Sequence, residues 1–226
     1  MSTQQPVEIY PKSDPNLISP FLIAKLEKEA QRNWDIFYKN NQEKFFKDRH
    51  YLTREFPELL PPPGAAPEAK HFVFEVGCGV GNSVYPLVNL DSRVFVHCCD
   101  FSPRAVELVK KHAEYDPERV NAFQCDITQQ DLTANIPSGS VDSILMVFVL
   151  SAISPEKMVA AVKNCSRVLR RSPSARVFVR DYACGDLAQE RLMGKKSRKI
   201  CENFYARGDG TVKPACCSAM SCRQEQ

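Results

Sequence analysis

Short apolar runs recur along the chain from residue 71 onward, separated by polar or glycine-rich stretches. The runs occupy residues 71–76 (HFVFEV), 93–100 (RVFVHCCD), 120–126 (VNAFQCD), 141–153 (VDSILMVFVLSAI) and 175–182 (ARVFVRDY). Each has the length of a strand, and the continuous run at 141–153 is typical of a strand buried on both faces. We therefore predict five strands, with the fourth at the centre of a sheet.

Helical patterns lie between these runs. Residues 102–113 place Pro103 in the first turn behind a Ser cap, and residues 154–170 open with Ser154 and Pro155 and carry a single apolar stripe. A third segment, NSVYPLVNL, follows the glycines after the first run. Strands that alternate with helices and are buried on both faces predict an α/β fold, a Rossmann-like parallel sheet of the doubly wound type.

The N-terminal third has a different organisation. Residues 1–20 are polar with four prolines and are interpreted as a flexible tail. From residue 21 an apolar residue recurs every four positions, and residues 59–69 (LLPPPGAAPEA) form a linker that cannot continue a helix. We expect four parts: the tail at 1–20, a helical segment at 21–60, the main domain at 70–211, and a cysteine-rich tail at 212–226.

Composition narrows the class of protein. The 226 residues fit one domain, and 43% hydrophobic residues are enough for a core. The net charge of +3 does not by itself indicate nucleic-acid binding. No apolar run is long enough for a membrane span, and MSTQQPVEIY lacks the pattern of a secretory signal. We expect a protein of the cytoplasm, the nucleus or both, with no membrane partner.

Ten cysteines are many for this length. Five of them lie in or beside expected core elements, which suits a reducing compartment better than a disulfide framework: Cys78, Cys98, Cys99, Cys125 and Cys165. No CxxC pair occurs, and the four histidines lack zinc-finger spacing, so no metal site is expected.

A glycine-rich turn follows the first expected strand, in the sequence EVGCGVGN at 75–82. Gly77 and Gly79 would let a ligand approach the backbone at the carboxyl end of the strand, where open α/β sheets bind ligands. Glu75 would repel a pyrophosphate but favour the cationic amino acid of a sulfonium ligand. Asp100 and Asp126 follow the next two strands and could bind ribose hydroxyls and an adenine amine. Taken singly, each acid could equally be a cap or turn residue.

These linked motifs carry a resemblance to a known family. ExGxGxG followed by acids after strands two and three resembles class I S-adenosylmethionine-dependent methyltransferases. The segments NWDIFYKNNQEKFFKDRHYLTREFPEL, CCDFSPRAVELV and ENFYARGDGT resemble transfer-RNA 3-methylcytidine methyltransferases of the methyltransferase-like group. YDPERVNAFQCDIT is most similar to the short members that act on serine transfer RNAs.

The resemblance implies cofactor contacts at matching positions. It puts Gly77 under the methionine moiety of S-adenosylmethionine, Asp100 at the ribose and Asp126 at the adenine. Val147 matches an aliphatic position of the strand-four motif. Trp34 and Tyr38 match an aromatic lid over the cofactor, although residues four apart on one helical face could equally be ordinary core aromatics.

The chemistry that the resemblance implies needs few catalytic groups. Nitrogen 3 of cytosine has a lone pair at neutral pH, so no general base is required, and positioning dominates. Residues 149–152 (VLSA) lack the Asp/Asn-Pro-Pro-aromatic motif of exocyclic-amine methyltransferases, and they lack the cysteine nucleophile that methylation at carbon 5 of cytosine requires. We expect Asp181 or Tyr182 to contact the cytosine and Arg180 a phosphate; a capping Asp beside an exposed Arg is the alternative.

Two basic segments are candidates for RNA binding. The first interleaves Lys44, Lys47, Arg49, His50 and Arg54 with aromatic residues, a composition that suits phosphate contact and base stacking. The second contains Arg191, Lys195, Lys196, Arg198 and Lys199. Either segment could instead be a solvated face.

The chain departs from the family pattern in two places. Residues 171–174 (RSPS) replace a Pro-Gly-Gly type turn, and residues 212–226 show no strand alternation where the family continues through further strands and a helix. We expect a C-terminally truncated form in which the strand at 175–182 is a sheet edge. Its Val177 and Val179 would then favour aggregation.

The sequence thus supports one main hypothesis and two alternatives. The main one is a monomeric methyltransferase that uses S-adenosylmethionine to form 3-methylcytidine in the anticodon loop of tRNA, serine tRNAs above all. Whether a seryl aminoacyl-tRNA synthetase is a partner stays open. The alternatives are a methyltransferase for protein or a small molecule, and an inactive cofactor-binding interaction module.

Overall fold

A parallel sheet of five strands forms the centre of the protein in a computed structural model that describes residues 18–183, 187, 191, 199–201, 204–206 and 212–214. The strands are β1 (His71–Val76), β2 (Val94–Asp100), β3 (Val120–Gln124), β4 (Ser143–Val147) and β5 (Arg176–Arg180). Their order across the sheet is β3-β2-β1-β4-β5, and every pairing is parallel. The predicted doubly wound α/β fold is confirmed.

Three helices connect the strands: α4 (Val84–Leu90) after β1, α5 (Pro103–Lys111) after β2, and α6 (Pro155–Val168) between β4 and β5. The expected Ser cap is present on α5, where the Ser102 hydroxyl accepts a hydrogen bond from the Ala105 N–H at 3.2 Å. Ser154 precedes Pro155 as expected, but its side chain makes no capping hydrogen bond on α6.

Two apolar clusters cover the two faces of the sheet. Val73 belongs to one cluster, and Phe74 and Val76 belong to the other. Successive side chains of a strand point to opposite faces, so Val73 lies on the face of β1 opposite to Phe74 and Val76. All five residues of β4 are buried. This double burial explains why the strands read as continuous apolar runs rather than as alternating ones.

The fourth apolar run does not form one long strand as predicted. β4 ends at Val147, Phe148 has a φ of 59°, and a short 3-10 helix occupies Leu150–Ala152. The backbone turns there because the Phe148 N–H donates a hydrogen bond to the Arg180 carbonyl and the Ser151 N–H donates one to Asp181. After Val147, Phe148 and Val149 line a cavity and Leu150 is buried in the core, so the run is apolar although it does not extend the sheet.

The N-terminal segment contains α1 (Pro20–Lys28), α2 (Ala30–Asn41) and α3 (Leu52–Glu55). The described structure already begins at Ile18, which is buried, so the boundary expected after residue 20 lies too late. Residues 60–70 contain neither helix nor strand, as the prolines predicted. None of the helices that the structure describes is long and apolar enough to cross a membrane.

A second, antiparallel sheet is formed by β6 (Lys199–Cys201), β7 (Phe204–Ala206) and β8 (Val212–Pro214). The expectation of a structureless tail from residue 212 is wrong for its first three residues, since Val212–Pro214 pairs with β7. A sequence of three residues is too short for alternation to be recognised. The rest of the predicted tail, residues 215–226, lies outside the described residues.

The position of β5 leads to a stability prediction. Within the described sheet β5 pairs only with β4, and Val177 and Val179 are 47% and 46% exposed. Val179→Lys should reduce thermal aggregation, measured by light scattering, because a charge on an edge strand opposes pairing with another chain. The melting temperature should change little, since the side chain is exposed.

Val159→Lys is the matched control, because Val159 is 54% exposed but lies on helix α6. Equal suppression of aggregation by both substitutions would show that added charge, and not protection of the edge, is responsible.

Candidate functional site

A cavity opens at the carboxyl ends of the central strands, where doubly wound sheets bind ligands. It measures about 1190 Å³ when the solvent at its open mouth is counted. Its wall combines the ends of β1, β2 and β4, the turn after β3 and the helix α2. The wall residues used below are Trp34, Tyr38, Arg49, Gly77, Cys78, Gly79, Asn82, Cys99, Asp100, Cys125, Asp126, Ile127, Val147, Phe148, Val149 and Lys157.

The glycine turn after β1 forms the floor of this cavity. Gly77 and Gly79 have φ values of 64° and 56°, in the left-handed region that favours glycine. A Cβ at Gly77 would lie 2.7 Å from a methyl carbon of Val149, and one at Gly79 would lie 3.1 Å from the Tyr38 hydroxyl. Only glycine lets these neighbours approach the turn so closely, as the sequence pattern indicated.

Asp100 ties the end of β2 to the glycine turn. One carboxylate oxygen accepts a hydrogen bond from the Gly79 N–H at 2.9 Å, and the other accepts one from the Ser102 N–H at 2.9 Å. Burial raises the pKa of Asp100 to about 6, although both hydrogen bonds oppose that shift. Each oxygen keeps a lone pair, so the carboxylate can also accept hydrogen bonds from hydroxyls in the cavity.

Asp126 lies on the cavity wall, as predicted, and also orders its own turn. One oxygen accepts hydrogen bonds from the Thr128 N–H and hydroxyl at 2.9 and 2.7 Å, and the other accepts one from the Gln129 side-chain amide. The binding and turn-forming interpretations are therefore compatible. Ile127 beside it supplies apolar surface.

Trp34 and Tyr38 project from α2 into the cavity wall. Their rings are stacked with centroids 6.1 Å apart and an angle of 28° between planes. Tyr38 also packs in a small core with Phe37, Val80 and Ala105, so the core interpretation holds for the same residue. Burial raises the pKa of Tyr38 well above its ordinary value, which keeps its hydroxyl protonated.

Asp181 and Tyr182 do not line the cavity. One Asp181 oxygen accepts a hydrogen bond from the Ser151 N–H at 3.0 Å and the other accepts one from the Tyr182 N–H at 2.9 Å. The Tyr182 ring packs against Phe148 with centroids 4.9 Å apart, and Phe148 does reach the cavity. Asp181 therefore has the geometry of a capping residue, which was the alternative to contact with the cytosine. Val147 lies on the cavity wall, as expected.

Glu75 is fully buried and is not part of the cavity wall, contrary to the prediction that it faces the ligand. Its Oε1 lies 3.4 Å from the Arg49 guanidinium, and its Oε2 has no hydrogen-bond partner. Burial raises the pKa of Glu75 to about 7, and Arg49 opposes that shift. The strand alternates its side chains, and position 75 points into the core beneath the turn.

Arg49, which was predicted to bind RNA, lies on the cavity wall. Its side chain is 12% exposed and donates a hydrogen bond to the Ser83 hydroxyl at 2.8 Å. The Arg49 N–H donates a hydrogen bond to the Asn82 carbonyl, so residues 46–49 fold back onto the glycine turn. Sequence reasoning missed the position of Arg49 on the cavity wall, because no local spacing links position 49 to position 82.

The other predicted RNA-binding residues remain at the surface. Lys44, Lys47 and Arg54 are exposed, and they make no ion pair within the part of the chain that the structure describes. Arg180 forms an ion pair with Glu55, and its guanidinium lies over a Tyr ring. Of the second basic segment, Arg191 is exposed and Lys199 lies in β6, whereas positions 195, 196 and 198 fall outside the described residues.

Three thiols reach the cavity wall: Cys78, Cys99 and Cys125. Burial raises the pKa of Cys99 well above its ordinary value and that of Cys125 to about 11, so both stay protonated and unreactive. A hydrogen bond with the Cys98 side chain, together with burial, raises the pKa of Cys78 well above its ordinary value. Across the described residues, no group of three or more His, Cys, Asp or Glu side chains could hold a metal ion.

Comparison with known proteins agrees with this geometry. The family described as "Methyltransferase domain" matches residues 73–172. Among solved structures, the "DhpI-SAM-HEP complex" has a TM-score of 0.54 and 15% sequence identity, covering 84% of this chain and 82% of that one. At that identity the likeness shows the fold alone, which is that of class I methyltransferases.

Curated relatives are similar at a much higher level. The chain is 50% identical over 200 residues to the tRNA N(3)-cytidine methyltransferase METTL6 of Rattus norvegicus, covering 88% of this chain and 68% of the relative. It is 44% identical over 197 residues to the tRNA N(3)-methylcytidine methyltransferase trm141 of Schizosaccharomyces pombe, covering 86% and 77%. The human METTL6 is 48% identical and covers 88% and 69%. The chain therefore belongs to the tRNA N(3)-cytidine methyltransferase family.

Proposed function

We propose that the protein transfers a methyl group from S-adenosylmethionine to nitrogen 3 of a cytidine in tRNA. The observation that carries the proposal is the cavity at the glycine turn, with Asp100 on its wall, in a chain whose relatives bear that activity in their names.

The residues of the cavity wall fit S-adenosylmethionine. Asp100 would accept hydrogen bonds from the ribose hydroxyls, and the turn at Gly77 and Gly79 would hold the methionine moiety. Ile127 and Val147 would pack on the adenine beside Asp126, with Trp34 and Tyr38 above the ligand. When bound, S-adenosylmethionine supplies a methyl group attached to a positively charged sulfur.

Nitrogen 3 of cytosine needs no base to remove a proton, because its lone pair is free at neutral pH. The protein's task is to orient the ring, exclude water and hold the reacting atoms in line. The thiols on the wall argue against attack on carbon 6, since burial keeps Cys99 and Cys125 protonated. The target edge of the base is used in Watson–Crick pairing, so the cytidine must be unpaired or flipped out.

Asp181 and Tyr182 are assigned here as positioning residues. The Asp181 carboxylate caps the turn at Ser151, and the Tyr182 ring supports Phe148 on the cavity wall. In this role the two residues do not contact the cytosine; they hold the loop after β4, which would border the base. Arg180, paired with Glu55, would reach a phosphate only by exchanging that partner.

Exposed cations on the N-terminal segment are proposed to bind the tRNA backbone. Lys44, Lys47 and Arg54 are free of ion pairs within the described residues, and the half-exposed Phe45 between them offers a ring for stacking. We propose the anticodon loop of serine tRNAs as the target, a seryl-tRNA synthetase as a partner that presents it, a monomeric enzyme, and a place in the cytoplasm or nucleus.

The proposed activity has a direct test. Purified protein with methyl-labelled S-adenosylmethionine and total tRNA should yield 3-methylcytidine on nucleoside analysis, and serine tRNAs should be preferred with or without added seryl-tRNA synthetase. Asp100→Asn should bind S-adenosylhomocysteine at least about tenfold more weakly, since a neutral amide is a poorer acceptor for two donors and a ribose.

Asp116→Asn is the matched control, because Asp116 accepts a hydrogen bond from the Glu118 N–H in an exposed turn and is not among the residues of the cavity wall. Cofactor binding without transfer to RNA would favour the interaction module, and transfer to protein alone would favour the other methyltransferase class.

Cofactor affinity should depend on pH through Asp100. Its pKa of about 6 means that the carboxyl is ionised above pH 6 and protonated below it, and the ionised form is the one that binds ribose hydroxyls. The dissociation constant of S-adenosylhomocysteine, measured by calorimetry, should therefore rise by up to about tenfold per pH unit as pH falls below 6.

Glu75 also titrates, near pH 7, so the measurement belongs in a Glu75→Gln background. In that background Asp100→Asn should make the affinity independent of pH. A pH dependence that survives the second substitution would show that another group controls binding.

The exposed lysines should contribute to tRNA affinity through phosphate contacts. Lys44→Met with Lys47→Met should weaken tRNA binding and lower the slope of log K against log salt by about 1.5, as expected for the loss of two phosphate contacts. The matched control is Lys110→Met with Lys111→Met on α5, which should leave the slope unchanged. An unaltered slope in the first pair would remove this segment from the RNA interface.

A further inference from the structure

Two cations lie on the described part of the cavity wall, Arg49 and Lys157. Lys157 forms an ion pair with Glu27 and so has its own partner on the neighbouring helix. Only one nitrogen of the Arg49 guanidinium bonds to described residues: Nη1 donates hydrogen bonds to the Ser83 hydroxyl at 2.8 Å and to Glu75 at 3.4 Å.

The other edge of this guanidinium is free. Nε and Nη2 of Arg49 make no hydrogen bond with any residue that the structure describes, and neither nitrogen is sealed from solvent. Three N–H donors on this edge therefore remain available. A planar fork of parallel donors matches a carboxylate, which can accept two hydrogen bonds at once.

The cavity wall carries charges of both signs. Asp100 and Asp126 lie at the ends of β2 and β3, and Arg49 is attached to the glycine turn through the Asn82 carbonyl. Hydroxyls and an amine suit the two acids, and an anion suits Arg49. S-adenosylmethionine carries its carboxylate at the end of the molecule opposite the adenine.

Resting on the proposed function, we propose that the Nε–Nη2 edge of Arg49 binds the α-carboxylate of the methionine moiety of S-adenosylmethionine. A tRNA phosphate is the competing anion. The cofactor carboxylate is favoured because the Arg49 side chain is 12% exposed and lines the cavity, whereas an outer-surface phosphate would meet a more exposed cation.

Glu75 acts through Arg49 in this arrangement. Its buried carboxylate compensates the charge of the guanidinium and, together with Ser83, fixes the plane of the fork before the ligand arrives. A fork that is already ordered loses less conformational entropy when it binds. Glu75 is therefore a positioning residue, which agrees with its burial beneath the turn.

The test compares two ligands that differ in the amino acid moiety. S-adenosylhomocysteine carries the carboxylate, whereas 5′-methylthioadenosine has the same adenosine and sulfur without it. Arg49→Met should weaken binding of the first by about 30-fold or more in calorimetry, as expected for loss of a charge pair shielded from solvent. Binding of 5′-methylthioadenosine should change less than about twofold, because it has no anion to lose.

Controls separate this effect from misfolding. Arg171→Met removes an exposed arginine from the turn before β5 and should leave both affinities unchanged. Arg49→Lys keeps a positive charge beside Glu75 but lacks the fork, so it should give an intermediate loss for S-adenosylhomocysteine. If Arg49→Met is unstable because Glu75 is left unpaired, Arg49→Met with Glu75→Gln removes the buried charge as well.

Each outcome decides a different point. Equal weakening of both ligands, or no weakening of S-adenosylhomocysteine, overturns the proposed carboxylate contact while leaving the methyltransferase function intact. An unchanged cofactor affinity with a raised KM for tRNA would assign Arg49 to the RNA phosphate. Failure of the wild-type protein to bind S-adenosylhomocysteine at all would overturn the proposed function together with this inference.

Discussion

The buried contact between Arg49 and Glu75 holds the two parts of this protein together at the point where the site forms. Glu75 ends in the core beneath the glycine turn, and the guanidinium that compensates it belongs to the N-terminal segment. Burial raises the pKa of Glu75 to about 7 and Arg49 opposes that shift, so removing Arg49 would favour the protonated carboxyl. The N-terminal segment is therefore part of the site, because Arg49 lines the cavity and also contacts this buried carboxyl.

A second set of interactions gives the cavity its shape. The Asp100 carboxylate accepts hydrogen bonds from the N–H groups of Gly79 and Ser102, so the acid expected to bind a ligand also fixes the turn that faces it. Helix α2 then closes one side through Tyr38, whose hydroxyl approaches Gly79. Residues that bind and residues that shape the site are thus largely the same, and substitutions should be judged by ligand affinity and stability together.

The site residues found from sequence share one property: each lies next to a strand end or on a helical repeat. Gly77, Gly79, Asp100 and Asp126 were predicted because parallel strands bring their carboxyl ends to one edge of a sheet, whereas Val147 was predicted from the family resemblance. Trp34 and Tyr38 were found from the family resemblance and share a helical face. Glu75 lies beneath the turn and Arg49 lies on the cavity wall, because local pattern cannot show which way a charged side chain points in the fold.

The alternation of apolar runs and capped helices determined the fold class by itself, since burial on both faces leaves its mark in every strand. The same pattern indicated the glycine turn and the acids that follow the next two strands. Only the tertiary structure decided that β4 stops at Val147, that Asp181 caps a neighbouring turn, and that residues 46–49 fold back onto Asn82. Those outcomes depend on hydrogen bonds and charges between residues 30 or more positions apart, and no periodicity along the chain records such contacts.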